Sequence, residues 1–183
     1  SGPDGWIANE MRRDEGELRN NDHFGIWFDT FYDRRNGVGV YVNSLGGIAD
    51  YQITNETNVN KNWNPIHDTR TALFDGGWSL EIAIPFRSLR YRPGKDQTWG
   101  VQTRRSIMRN NEWIFLSPVP RAVARGGAAG SNRVSLYATL EGIEAPPAGN
   151  NLEVKPYAIS GIRTDLAADP TLSNDRYGDA GLD

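Results

Sequence analysis

The chain contains no cysteine among its 183 residues, which rules out a disulfide framework and a Cys-based zinc site together. The same absence fits cytosol and periplasm equally. Histidine is nearly missing too: His23 and His67 stand far apart, with no second ligand at metal spacing, which disfavours zinc. No apolar run approaches the roughly 20 residues that a membrane helix needs, and no charged-then-apolar signal segment stands at the N-terminus. An excess of one charge sign is lacking as well. Twenty Lys and Arg against 23 Asp and Glu leave a formal net charge of -3. Nucleic acid is therefore disfavoured as a partner, despite the local Arg12-Arg13, Arg34-Arg35 and Arg104-Arg105 pairs. Catalytic fingerprints are absent: there is no G-x-S-x-G, P-loop, HExxH or Rossmann pattern, and Gly126-Gly127-Ala128-Ala129-Gly130 is a lone small-residue loop. The chain opens at Ser1-Gly2-Pro3-Asp4 without an initiating methionine and reads as a fragment or a processed piece.

What is present is β patterning. Hydrophobic content of 38% and 23% charge describe one globular domain with a possible appendage, and no segment keeps helical periodicity beyond about two turns. His23 to Thr30 (HFGIWFDT) and Gly37 to Asn43 (GVGVYVN) form a hairpin around Asp33-Arg34-Arg35-Asn36-Gly37. Ile48 to Thr54 continues after Gly46-Gly47, and Asn55 to Asp68 is an Asn-rich loop carrying Trp63. Thr69 to Phe74 and Trp78 to Pro85 make a second hairpin across Asp75-Gly76-Gly77, and Thr98 to Arg105 pairs with Glu112 to Leu116. Val119 to Arg133 is Gly- and Ala-rich without periodicity and reads as a flexible loop, followed by a strand over Val134 to Leu140. Some eight short strands imply an all-β, antiparallel two-sheet sandwich of the jelly-roll kind. Ala145-Pro146-Pro147-Ala148-Gly149 is linker-like, Asn151 to Thr164 is one further strand, and Asp169 to Asp183 is polar and turn-rich. The sandwich thus spans residues 1–146, and residues 147–183 are an extension.

Within Trp78 to Pro85, Trp78, Leu80, Ile82 and Ile84 share a core face, while Ser79, Glu81 and Ala83 share the other. A cross-strand ion pair with one of the many arginines is the economical explanation of Glu81, with a ligand or metal role as the alternative. Trp27, Trp78 and Trp99 lie within strand patterns and belong to the core. Sugar recognition calls for an exposed aromatic face beside amides or charges. Trp63, within Asn60-Lys61-Asn62-Trp63-Asn64, fits best, against the plainer reading of a loop anchor packed on the sandwich. Trp113, beside Asn110, Asn111 and Glu112, is second, and Asn43, Tyr51, Gln102 and Arg104 offer polar edges from neighbouring strands. Asp29, Asp33 and Asn36 crowd one hairpin loop with the hard oxygens that calcium prefers, although Asp beside Arg34 and Arg35 more often staples a loop by ion pairs and Asx turns. No other cofactor is indicated.

The run GWSLEIAIPFRSL, preceded by DHFGIWFDTFYDRRNGVGVYVNSLG and followed by WGVQTRR, resembles the family 9 carbohydrate-binding module and its β-sandwich superfamily. More narrowly, the ordered set RRD, DTFYDRRNG, IPFRSLRY, SPVPR, LEGI and NLEVKPY is similar to the N-terminal domain of a bacterial family of unknown function. In that family this sandwich precedes a long β-rich region taken to be an outer-membrane barrel. The family pattern keeps a carboxylate at the place of Glu81, which makes it a framework position. Members carry additional strands before the place of Ser1, so the resemblance implies sandwich strands and a barrel beyond this chain. It also implies export to the periplasm or outer membrane of a Gram-negative cell, with membrane association only through the barrel.

Three functional readings follow. The first is a non-catalytic module that binds a glycan or oligosaccharide, expected to show a solvent-facing aromatic platform flanked by amides. The second is a structural or interaction domain that docks on or plugs a β-barrel, expected to show an ordered surface of apolar and Arg residues, with the Arg125 to Arg133 loop and the tail as contact points. The third is a hydrolase-associated domain, which requires two close titratable groups in a pocket.

Overall fold

The computed structural model describes residues 5–124, 128–147, 156–163 and 175–182, and divides the chain into two compact units, Ser1–Ala148 and Gly149–Asp183. The fold is all-β with antiparallel sheets. The main sheet of the first unit contains β1 (His23–Asp29), β2 (Gly37–Asn43), β3 (Ile48–Thr54), β4 (Asn58–Asn60), β7 (Asp96–Ile107), β8 (Glu112–Phe115) and β9 (Ala138–Glu144). Its order is β4-β3-β2-β1-β7-β8, and the long β7 also pairs with β9 along its edge. A separate two-stranded sheet, β5 (Asp68–Phe74) with β6 (Gly77–Ala83), supplies a second layer. The second unit describes one hairpin, β10 (Pro156–Arg163) with β11 (Asp175–Leu182), in which Tyr157 and Tyr177 cover Gly181 and Gly161 across the strands.

Turn chemistry sets the first hairpin. The Asp29 carboxylate accepts from the backbone N–H groups of Asp33 and Arg34, and Asp33 accepts from those of Arg35 and Asn36 and from the Asn36 amide at 2.7 Å. The two carboxylates weighed for calcium thus hold the loop closed, Asp33 through an Asx turn, while the Asn36 amide oxygen accepts from the Asn55 N–H. Arg34 takes a left-handed φ of 60° there, and its guanidinium stacks on the Tyr32 ring and donates to the Tyr137 carbonyl.

Alternation along β1 puts His23, Gly25, Trp27 and Asp29 on one face and Phe24, Ile26 and Phe28 on the other. The register extends the first face through Tyr41 and Asn43 of β2, Ala49, Tyr51 and Ile53 of β3, and Gln102 and Arg104 of β7. Trp27 lies flat across it, and only glycine fits beneath: a Cβ at Gly25 or Gly39 would overlap the indole. Residues 5–22 cover this face with Leu18, and residues 131–137 with Val134 and Tyr137, closing a buried cluster.

Several expectations change. Residues 128–131 form a short helix (α1, Ala128–Ser131) with Ser131 fully buried, because Ser131 Oγ accepts from Arg104; residues 125–127 lie outside the description. Val134–Leu136 is a 3₁₀ turn, and the strand expected over Val134 to Leu140 begins only at Ala138. Asp175–Leu182, read as polar and turn-rich, is a strand that pairs with β10. Glu81 stands opposite Arg70 but in solvent; the ion pair of Arg70 runs to Asp68 at 3.6 Å, so no cross-strand pair accounts for Glu81 among the described residues.

Candidate functional site

The apolar side of β1 is its less buried side. Phe24, Ile26 and Phe28 are only half-buried, whereas the polar and glycine positions alternating with them are fully enclosed. Facing the three side chains across the layers are Leu80 and Ile82 of β6, with Ile84 just beyond that strand. Together they bound a cleft of about 390 Å³, closed at one side by Phe86, Leu89 and Trp99. Pro85 ends the strand and the 3₁₀ turn Phe86–Ser88 lays Phe86 edge-on against Tyr91 and Trp99, at 5.7 and 6.0 Å between centroids. Its volume falls within the range of ligand pockets. All nine lining residues are apolar, so nothing in the lining titrates in the physiological range.

Beyond Leu80, Trp78 stands on the same side of β6, and Arg105 stands beside Phe24, its register partner on β1. The Arg105 guanidinium lies 5.4 Å from the Trp78 ring centroid, a cation–π contact between the layers. Trp78 is 8% exposed, and neither its Nε1 nor the Arg105 Nε has a hydrogen-bond acceptor among the described residues. Buried donors are rarely left so.

On the other face of the main sheet lies a buried polar array. Arg104 is 2% exposed and has no carboxylate partner among the described residues; it donates to His23 Nε2 at 2.6 Å and Ser131 Oγ at 2.9 Å, and lies against the Trp27 and Tyr41 rings at 5.1 and 6.0 Å. Burial pushes the Arg104 pKa down. His23 donates from Nδ1 to the Asn21 carbonyl at 2.7 Å and accepts at Nε2, the pattern of a neutral ring, and burial followed by the Arg104 charge lowers its pKa to about 3. Tyr51 accepts from Trp27 Nε1 at 2.9 Å and donates to Asn132 at 3.0 Å; burial raises its pKa to about 12. The cleft lies on the opposite face from these groups, which are buried and bonded to one another, so the array reads as interior scaffolding.

Four of the six residues proposed for sugar contact belong to that interior. Asn43 staples the β2–β3 turn by accepting from Leu45 and Gly47, and donates to the Glu10 carbonyl. Gln102 grips Ser117 through both ends of its amide. Tyr51 and Arg104 are spent as described. The register brings them to one face, but that face is covered, and none offers an edge to solvent. Trp113, opposite Ser106 on β8, and Trp63, just after β4, are both half-buried. Since β4 and β8 are the two ends of the sheet order, five spacings of ~4.8 Å put these strands on the order of 24 Å apart, and no single platform joins the two indoles. Exposed Asn60, Lys61, Asn62 and Asn64 surround Trp63 alone.

Of the cleft residues, sequence reasoning assigned Leu80, Ile82, Ile84 and Trp99 to the core, because alternation shows that a face is apolar but not how completely another layer covers it. The half-burial of two facing apolar strands is a property of the sheet partnership. His67 was also read as isolated, yet the fold brings its Nε2 to 3.4 Å from the buried Asp50, which Arg13 also engages. No protein-family model matches the chain, and no curated protein sequence matches it.

Proposed function

We propose that the chain is a non-catalytic interaction domain that binds its partner through the apolar cleft between β6 and the main sheet. The observation that carries this reading is the half-exposure of Phe24, Ile26 and Phe28 opposite Leu80, Ile82 and Ile84, around a cleft without a titratable lining. Apolar area of this kind is what a folded chain ordinarily buries. An Arg residue at its margin and a lining of apolar side chains match a docking surface better than a sugar site, which needs amides and carboxylates to satisfy hydroxyls. The resemblance implies export to the envelope of a Gram-negative cell, where a β-rich partner region would fit the same role.

The test is a fluorescence titration of a labelled peptide of alternating apolar residues against the chain and its Ile82→Trp variant, in which the indole fills the cleft. Saturable binding weakened tenfold or more by the variant is the expected result. Equal binding to both proteins, or none to either, overturns the docking role. A second reading, glycan binding at the loop, rests on Trp63 with its four polar neighbours. A glycan-array hit weakened about tenfold by Trp63→Ala, with Ile82→Trp silent, selects it instead; tenfold corresponds to about 1.4 kcal/mol.

A further inference from the structure

We infer that the cleft is a slot for one extended strand of a partner protein, which pairs antiparallel with the free edge of β6 and carries an acidic side chain at its C-terminal end. The inference rests on the docking role just proposed and specifies its ligand. Three observations define the occupant.

The first is backbone chemistry. β6 pairs with β5 on one side, and among the described residues no strand lies on the other. A strand sends alternate N–H and C=O groups to its two edges, so half of the backbone groups of Gly77–Ala83 face away from β5 without a sheet partner. An isolated two-stranded sheet is marginal in water, and an edge of this kind is a template for another strand. The cleft is lined by β6 and by no residue of β5, so the unpaired edge is the one that borders it.

The second is side-chain spacing. Leu80, Ile82 and Ile84 present apolar contacts at every second residue, and Phe24, Ile26 and Phe28 do the same from the facing sheet. A strand laid in the slot places its first, third and fifth side chains against this lining and leaves the others in solvent. Neither a sugar nor a helix has this period.

The third is charge. Two residues beyond Leu80 toward the start of β6, the buried Trp78 Nε1 and Arg105 Nε both lack acceptors. An antiparallel strand brings its seventh residue beside Trp78, where a carboxylate accepts from both donors and answers the Arg105 charge. The recognised pattern is therefore apolar-x-apolar-x-apolar-x-acidic. All strand pairs described in the chain are antiparallel, in keeping with that direction.

The probe is a seven-residue peptide with valine at positions one, three and five, glutamate at seven and threonine between. Amide hydrogen exchange of the unmodified chain is measured with and without it. The expected result is at least tenfold slower exchange at the β6 amides that point away from β5, at least tenfold weaker binding of a peptide shifted by one residue, and a glutamate-to-glutamine penalty that disappears in Arg105→Gln. Binding that Ile82→Trp blocks but that leaves the β6 amides exchanging as before overturns the strand while leaving the docking role standing. Binding of decanoate but not of the peptide overturns it in favour of a small anionic amphiphile. No occupancy of the cleft by either probe removes the strand and the docking role together.

Discussion

Lowering the pH from 7 to 5 should destabilise the chain through His23, and replacing His23 with glutamine should remove that part of the loss. The ring is fully buried, donates from Nδ1 to the Asn21 carbonyl and accepts at Nε2 from the Arg104 guanidinium. Protonation would put a second N–H against the Arg104 cation, which has no carboxylate partner among the described residues. Burial first, and Arg104 second, bring the folded pKa to about 3, against about 6.5 in an unfolded chain. The unfolded state therefore binds the proton first. The stability associated with the neutral ring is fully present above pH 6.5 and is lost as pH falls toward 3. At pH 5 the gap from the unfolded value is about 1.5 units, worth about 2 kcal/mol at 1.36 kcal/mol per unit. That is a large share of the 5–15 kcal/mol typical of a domain. Asp29, whose pKa burial raises, acts with the opposite sign; it is present in both proteins and cancels in the comparison. Urea unfolding at pH 7 and pH 5 for wild type and His23→Gln gives the assay: the wild type should lose about 2 kcal/mol more than the variant over this interval. Equal losses, or an NMR titration that places the His23 midpoint above pH 5, would refute the reasoning.

Other perturbations separate scaffold from surface. Asn43→Ala deletes four hydrogen bonds of a fully buried amide and should cost about 1–3 kcal/mol in urea unfolding, the range for leaving buried backbone partners unsatisfied; a loss below 0.5 kcal/mol would place it on the surface. Gly39→Ala puts a methyl into the Trp27 indole and should cost about 3 kcal/mol or more, together with a changed near-ultraviolet circular dichroism signal of the indole. Glu81→Ala, in solvent opposite Arg70, should stay within about 0.5 kcal/mol of wild type by thermal unfolding; a larger loss would mean an ion pair in solution.

The strands were legible wherever period-two runs met turn residues. Gly37–Asn43 and Ile48–Thr54 begin and end where alternation and the flanking glycines place them. The polar interior was not. Asn43, Gln102 and Arg104 read as ligand-facing residues because hydropathy alone ranks them exterior; two covering segments, one at each end of the first unit, bury them only in three dimensions, together with His23. The stretch around Ala128–Ser131 is rich in small residues and lacks periodicity, so its role in closing over Arg104 was invisible locally. Trp27 illustrates the opposite case: an aromatic in a strand with Gly25 two residues before it and Gly39 across from it is a packing motif that the sequence does display, although the cross-strand half requires the register. The cleft was hidden for the same reason as the polar interior, since which apolar faces meet, and how fully, is decided by the placement of β5–β6.

The docking role of the cleft is tested most directly by methyl NMR of the chain with isotope-labelled Ile and Leu side chains during addition of the alternating peptide. Shifts concentrated at Ile26, Leu80, Ile82, Ile84 and Leu89, saturating together and abolished in Ile82→Trp, are the predicted result. A spectrum that stays unchanged to millimolar peptide, or shifts confined to Ile66 beside the Trp63 loop, would contradict it.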